Sequence, residues 1–118
     1  MAVKRIVANF AVDRIDRARA FYGEVLGLTV AMDLGWILTF ESDFKSHPQV
    51  SVATEGGSGT SVPELSVEVD NLNEVYQKAL AEGFEVEYGP VAEPWGVRRF
   101  YVRDPYGRLV NILTHGDE

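Results

Sequence analysis

A strand, a helix and three further strands occur twice in this chain of 118 residues. Superposing Val12 on Val69, an offset of 69 − 12 = 57, also carries Ile15 onto Leu72 and Ala18 onto Val75. In the first copy, residues 3–12 are rich in β-formers (Val3, Ile6, Val7, Phe10, Val12). Apolar positions at Ile15, Ala18, Phe21, Tyr22, Val25 and Leu26 then recur at helical spacing, so a helix is expected over roughly 15–26. Asp13 or Asp16 is placed to cap its start, and Gly27 to supply the left-handed residue at its end. Strands are expected at Thr29–Leu34, Trp36–Glu41 and Gln49–Thr54.

Glu55-Gly56-Gly57-Ser58-Gly59-Thr60-Ser61 reads as a flexible connector, because glycine and serine bring no core-forming surface. The order then repeats. Glu64–Asp70 alternates Leu65, Val67 and Val69 with polar residues, as a half-buried strand does. Leu72, Val75, Tyr76, Ala79 and Leu80 follow at helical spacing, with Asn71 and Glu74 spaced as a capping box and Gly83 as the stop. Strands near 84–91, 97–102 and 108–114 complete the copy, the last two joined through Asp104-Pro105-Tyr106-Gly107. The expected architecture is α+β: tandem βαβββ modules over about 1–55 and 63–118, with a connector over about 55–62. A half of about 55 residues buries too little surface to stand comfortably alone, so the two are expected to share a core, as one domain over 1–118, or to pair with another chain.

Composition removes several functions. With no cysteine there is no disulfide framework, no thiolate metal site and no thiol nucleophile, and a cytoplasmic location is the default expectation. Eleven basic against 18 acidic residues leave a formal charge of −7, which repels phosphate backbones and speaks against nucleic acid as a partner. The apolar runs are far below the roughly 20 residues of a membrane span, so no membrane partner is expected. Gly56-Gly57-Ser58-Gly59 lacks the lysine and helix of a phosphate loop. His47 and His115, the two histidines, lie in a polar turn and near the C-terminus, where a solvated side chain is the ordinary reading.

Two stretches carry a family resemblance: Arg19-Ala20-Phe21-Tyr22-Gly23-Glu24-Val25-Leu26-Gly27-Leu28 and Tyr101-Val102-Arg103-Asp104-Pro105-Tyr106-Gly107-Arg108-Leu109-Val110-Asn111-Ile112. In these the chain resembles the vicinal-oxygen-chelate superfamily, which includes glyoxalase I, bleomycin-resistance proteins, fosfomycin-resistance enzymes and extradiol dioxygenases. The resemblance implies βαβββ modules whose curved sheets form an open cup, usually completed in a homodimer. It also implies, for the enzymes, a divalent metal on the first and last strands of each module, polarising neighbouring substrate oxygens. Carried over position by position, those sites fall on Val7, on Glu64, on Asn111, and on Gln49 or Ser51. Valine cannot ligate and a neutral amide is a weak ligand, so no metal and no other cofactor is expected. The alternative is a divalent metal near Glu64.

Strand alternation nominates a ligand-binding set of Trp36, Phe40, Ser51, Trp95, Arg99, Tyr101 and Asn111. Arg98 and Arg99 point to opposite faces, and Arg99 with Tyr101 is taken as the inward pair. Asn111 interrupts the apolar run Leu109-Val110-Asn111-Ile112-Leu113, so its amide serves either a ligand or the neighbouring backbone. One functional reading is a metal-free protein, like the bleomycin-resistance type, that binds a small aromatic or cationic molecule in an aromatic-lined cleft. The other is a lyase, isomerase or dioxygenase-type enzyme with an atypical metal site or with Glu64 as general base. Whether the chain is an enzyme at all stays open at this point.

Overall fold

The computed structural model describes residues 2–45 and 48–116. It contains β1 (Val3–Ala11), a π-helix (Arg19–Val25), β2 (Thr29–Asp33), β3 (Ile37–Glu41) and β4 (Gln49–Ala53). These are followed by β5 (Leu65–Val69), an α-helix (Leu72–Ala81), β6 (Val86–Ala92), β7 (Arg98–Arg103) and β8 (Leu109–Thr114). The α+β order βαβββ therefore occurs twice. Among the described residues no helix is long and apolar enough to cross a membrane.

Two compact units divide the chain: an N-terminal unit, Val7–Val62, and a C-terminal unit made of the residues from Pro63 onward together with those up to Ile6. In the N-terminal unit the strand order is β2-β3-β4-β1, with β1 and β4 parallel. The C-terminal unit repeats it as β6-β7-β8-β5, with β5 and β8 parallel. Each unit packs its helix on one sheet face. Leu38, Phe40 and Val52 form the N-terminal core with Tyr22, Ile15 and Leu28 against them. Val69, Leu72, Phe100 and Ile112 form the C-terminal core, joined by Val67, Val75, Tyr76 and Val102. Tyr76 meets Phe100 edge-on at 5.3 Å between ring centres.

The first helix differs from the expected α-helix over 15–26. The offset between copies is 57 at Val12 and Val69 but 83 − 27 = 56 at the closing glycines, so the first copy holds one residue more between strand and helix end. The backbone absorbs it by widening the turn: Leu26 N–H donates to the Phe21 carbonyl five residues back, at 3.0 Å. Leu28 reaches back six residues to Tyr22, where its counterpart Phe84 reaches back five to Ala79. Both helices still close on a left-handed glycine, Gly27 at φ +74° and Gly83 at φ +82°.

Three local expectations are corrected. Neither Asp13 nor Asp16 caps the first helix, whose N-cap is Ala18; Asp16 is drawn off by the Arg14 guanidinium at 2.7 Å. Asn71 makes no capping bond, and both of its side-chain polar atoms are buried without a partner. The connector is a closed turn, not a flexible spacer: Gly56 N–H donates to the Thr60 carbonyl at 2.8 Å and the Thr60 hydroxyl to the Gly57 carbonyl at 2.7 Å.

Candidate functional site

Because side chains alternate along a strand, the residues that do not face the helix line the opposite sheet face. In the C-terminal unit that face carries Ser66 and Glu68 from β5, Arg99 and Tyr101 from β7, and Asn111 from β8. Register sets Ser66 beside Asn111 and Asn111 beside Tyr101, a polar row across three strands. The matching row of the N-terminal unit is Asn9, Ser51 and Thr39. There the Thr39 and Ser51 hydroxyls close on each other at 2.7 Å, both buried.

The C-terminal row is built around Arg99. Its Nε donates to Glu93 Oε2 at 2.7 Å and its Nη1 to the Tyr101 hydroxyl at 3.0 Å. Tyr88 donates its hydroxyl to the same Glu93 oxygen at 2.9 Å. The guanidinium carbon lies 5.4, 5.0 and 4.9 Å from the ring centres of Tyr88, Trp95 and Tyr101, so three aromatic rings and one carboxylate enclose a single cation. The Arg99 and Glu93 side chains are only 4% and 3% exposed, whereas Trp95 is partly exposed. Next to this cage, Asn111 donates from Nδ2 to Ser66 Oγ at 3.1 Å, while its Oδ1 is buried and has no partner.

Trp95, Arg99, Tyr101 and Asn111 are thus brought together in one unit. Arg98 points the other way and donates to Asn73 Oδ1 at 2.9 Å. Phe40 is a correction: it is 0% exposed on the helix side, 5.4 Å from the Tyr22 ring, and supplies core packing instead of a ligand wall. Ser51 is committed to Thr39. Trp36 belongs to the N-terminal unit, where its carbonyl accepts from Thr54 N–H at 2.9 Å. Sequence reading missed Tyr88, Glu93 and Ser66. For Ser66 a signal existed, since the offset of 57 pairs it with Asn9 and alternation puts it on the face of Glu64.

The donor set that the resemblance implies for a metal does not suit one. Val7 has no lone pair to give. Glu64 is 55% exposed and pairs with Arg108 Nη1 at 3.2 Å. Gln49 Nε2 donates to Glu41 at 2.7 Å, Ser51 holds Thr39, and Asn111 is a neutral amide.

At the edge of the same face, Glu68 Oε1 accepts from Arg5 Nε at 2.8 Å and Oε2 meets His115 Nδ1 at 3.0 Å, with Lys4 Nζ 3.8 Å away. His47 lies outside the described residues. Burial alone would raise the Glu68 pKa, but the hydrogen bonds from His115 and Arg5 outweigh it and hold the carboxyl below its ordinary 4.5. A lowered carboxyl contributes stability above its unfolded pKa and loses it as pH falls through the folded value. Glu68→Gln is therefore expected to flatten the loss of stability below about pH 4.5, read as urea midpoints across that range.

The glyoxalase-like domain model matches residues 6–115. This chain belongs to the glyoxalase-like family. The methylmalonyl-CoA epimerase from Mycobacterium tuberculosis superposes on the domain with a TM-score of 0.70 at 16% identity, over 98% of this chain and 90% of that one. A glyoxalase/bleomycin resistance protein/dioxygenase superfamily member from Vibrio splendidus does so at 0.61 and 18%, over 93% and 97%. The NAD-dependent benzaldehyde dehydrogenase structure from Legionella pneumophila gives 0.73 and 12%, over 93% and 98%. At these identities the likeness shows the fold alone. No curated protein matches the glyoxalase-like domain.

Proposed function

We propose that this glyoxalase-like domain is a metal-free binding protein for a small aromatic molecule carrying a hydrogen-bond donor, held on the C-terminal unit's polar row. The observation that carries this reading is Asn111 Oδ1, a buried acceptor without a partner on the residue paired with Tyr101, whose ring and those of Tyr88 and Trp95 surround Arg99. Such an atom costs about 1–3 kcal/mol in the empty protein, and a ligand O–H or N–H recovers that cost. An apolar wall with a few convergent polar groups is the usual make-up of a small-molecule site. The cationic ligand that net charge alone suggests loses support, because the guanidinium of Arg99 already occupies the aromatic cage.

The test separates binding from folding. Asn111→Leu removes an unpaired buried oxygen together with the bond to Ser66 Oγ, two effects of opposite sign, so stability is expected to stay within about 1 kcal/mol of wild type while donor recognition disappears. In titrations followed by tryptophan emission, phenol should bind the wild type at least about tenfold more tightly than anisole, and the variant should not tell them apart. Equal binding of phenol and anisole to the wild type would sink the reading.

A further inference from the structure

Glu93 and Trp95 stand two residues apart on the turn between β6 and β7, and both close on the same guanidinium. Glu93 gives Arg99 a carboxylate oxygen at 2.7 Å, and Trp95 gives it an aromatic face at 5.0 Å. A carboxylate and a flat ring are the two groups that an aromatic acid carries in one molecule. We propose that the turn 93–96 is an internal pseudo-ligand, and that the site takes an aromatic carboxylate which displaces Glu93 and Trp95 from Arg99 while its ring donor reaches Asn111. This deepens the reading above, on which it rests, by fixing the ligand's charge and its way in.

Chemistry selects the acid. A guanidinium offers a planar fork of N–H donors that matches a carboxylate, and it stacks on aromatic faces. Exchanging one carboxylate for another leaves the guanidinium paired in the bound state, and the cost that remains is that of turning Glu93 away from Arg99 and from the Tyr88 hydroxyl. A cation would have to expel Arg99, and a neutral ring would leave Glu93 in place and gain only contact area.

Geometry makes the exchange local. The turn's backbone is pinned by Glu93 N–H to the Val97 carbonyl at 2.7 Å and by Gly96 N–H to the Glu93 carbonyl at 3.2 Å. Only the Glu93 and Trp95 side chains need to rotate, and Trp95 is already partly exposed. Asn111 faces Tyr101 across β7 and β8, and Arg99 lies two residues along, a diagonal of roughly 7–8 Å between Cα atoms. One benzene ring with an acid arm on one side and a hydroxyl on the other fits that span.

The experiment titrates the whole chain by calorimetry with para-hydroxyphenylacetate, with its neutral amide para-hydroxyphenylacetamide, and with the cation tyramine. The acid is expected to bind most tightly. Glu93→Gln, which removes the competing charge but keeps an acceptor for Tyr88, should tighten the acid by about tenfold and leave the amide unchanged. Arg99→Met should lose the acid. Trp95→Ala, which spares the ion pair, gives a second arm in which the acid again gains over the amide. Amide or tyramine binding as tightly as the acid overturns the pseudo-ligand and spares the aromatic reading; so does an unchanged acid affinity in the Glu93 and Trp95 variants. Failure of all three compounds, and of phenol, overturns both.

Discussion

Glu93→Ala is expected to cost the C-terminal unit about 3–5 kcal/mol, as breaking a buried ion pair from one side does. The side chain removed is 3% exposed and its partner 4%, so the guanidinium left behind cannot recover water as a counter-ligand. The Tyr88 hydroxyl loses its acceptor in the same step. Chemical denaturation followed by tryptophan emission measures the loss. The double variant Glu93→Leu with Arg99→Met removes both charges together and is expected to be far less destabilised than the sum of the single variants. A Glu93→Ala protein within about 0.5 kcal/mol of wild type would mean that the pair is solvated and that no charged cage exists. On the pseudo-ligand assignment, para-hydroxyphenylacetate also stabilises Glu93→Ala by RT ln(1 + [L]/Kd), so its midpoint rises with the logarithm of ligand concentration once that exceeds Kd.

How much of this was legible in the sequence varies from element to element for physical reasons. β5 was readable because it alternates Leu65, Val67 and Val69 with polar residues, and because β7 pairs with β8 without a register break, period-two counting put Arg99 and Tyr101 on one face and Arg98 on the other. The order βαβββ, and its repetition, followed from the offset of 57. The π-helix was not read, although its signal lay in the glycines: Gly27 and Gly83 differ by 56, and the extra residue had to be absorbed before them. Phe40 was misplaced because β3 is apolar on both faces, which leaves alternation without a sign until the helix is docked. Tyr88 and Glu93 escaped because β6 pairs irregularly, with register breaks between Val86 and Tyr88 and again between Tyr88 and Val91. A bulge re-aims a side chain, and period-two counting fails across it. The cage is therefore Arg99 and Tyr101 on regular strand and the conspicuous Trp95, which sequence shows, with Tyr88 and Glu93 at and beyond the bulge, which it does not.

Gly89 sits in that bulge, and Gly89→Ala is expected to cost about 2–5 kcal/mol in all. Two effects add. Its φ of +76° lies in the left-handed region, which costs an L-residue about 1–2 kcal/mol. A Cβ there would also stand 2.5 Å from the Arg99 carbonyl oxygen, 3.0 Å from the Val91 nitrogen and 3.2 Å from the Phe100 Cα. All three are backbone atoms that no side-chain rotation can clear, so overpacking adds about 1–3 kcal/mol. Gly107→Ala separates the two effects. Its φ is +81° and nothing lies within 4 Å of the added carbon, so only the conformational part is expected there. The difference between the two variants then measures how rigidly the bulge holds the Arg99 backbone. If it reaches about 1 kcal/mol or more, Trp95 emission in Gly89→Ala should shift as Arg99 is pushed from its cage, and Gly107→Ala should leave that emission unchanged. Equal costs at the two glycines would show that β6 yields freely, and a strand that yields there could not hold Glu93 and Trp95 closed over Arg99.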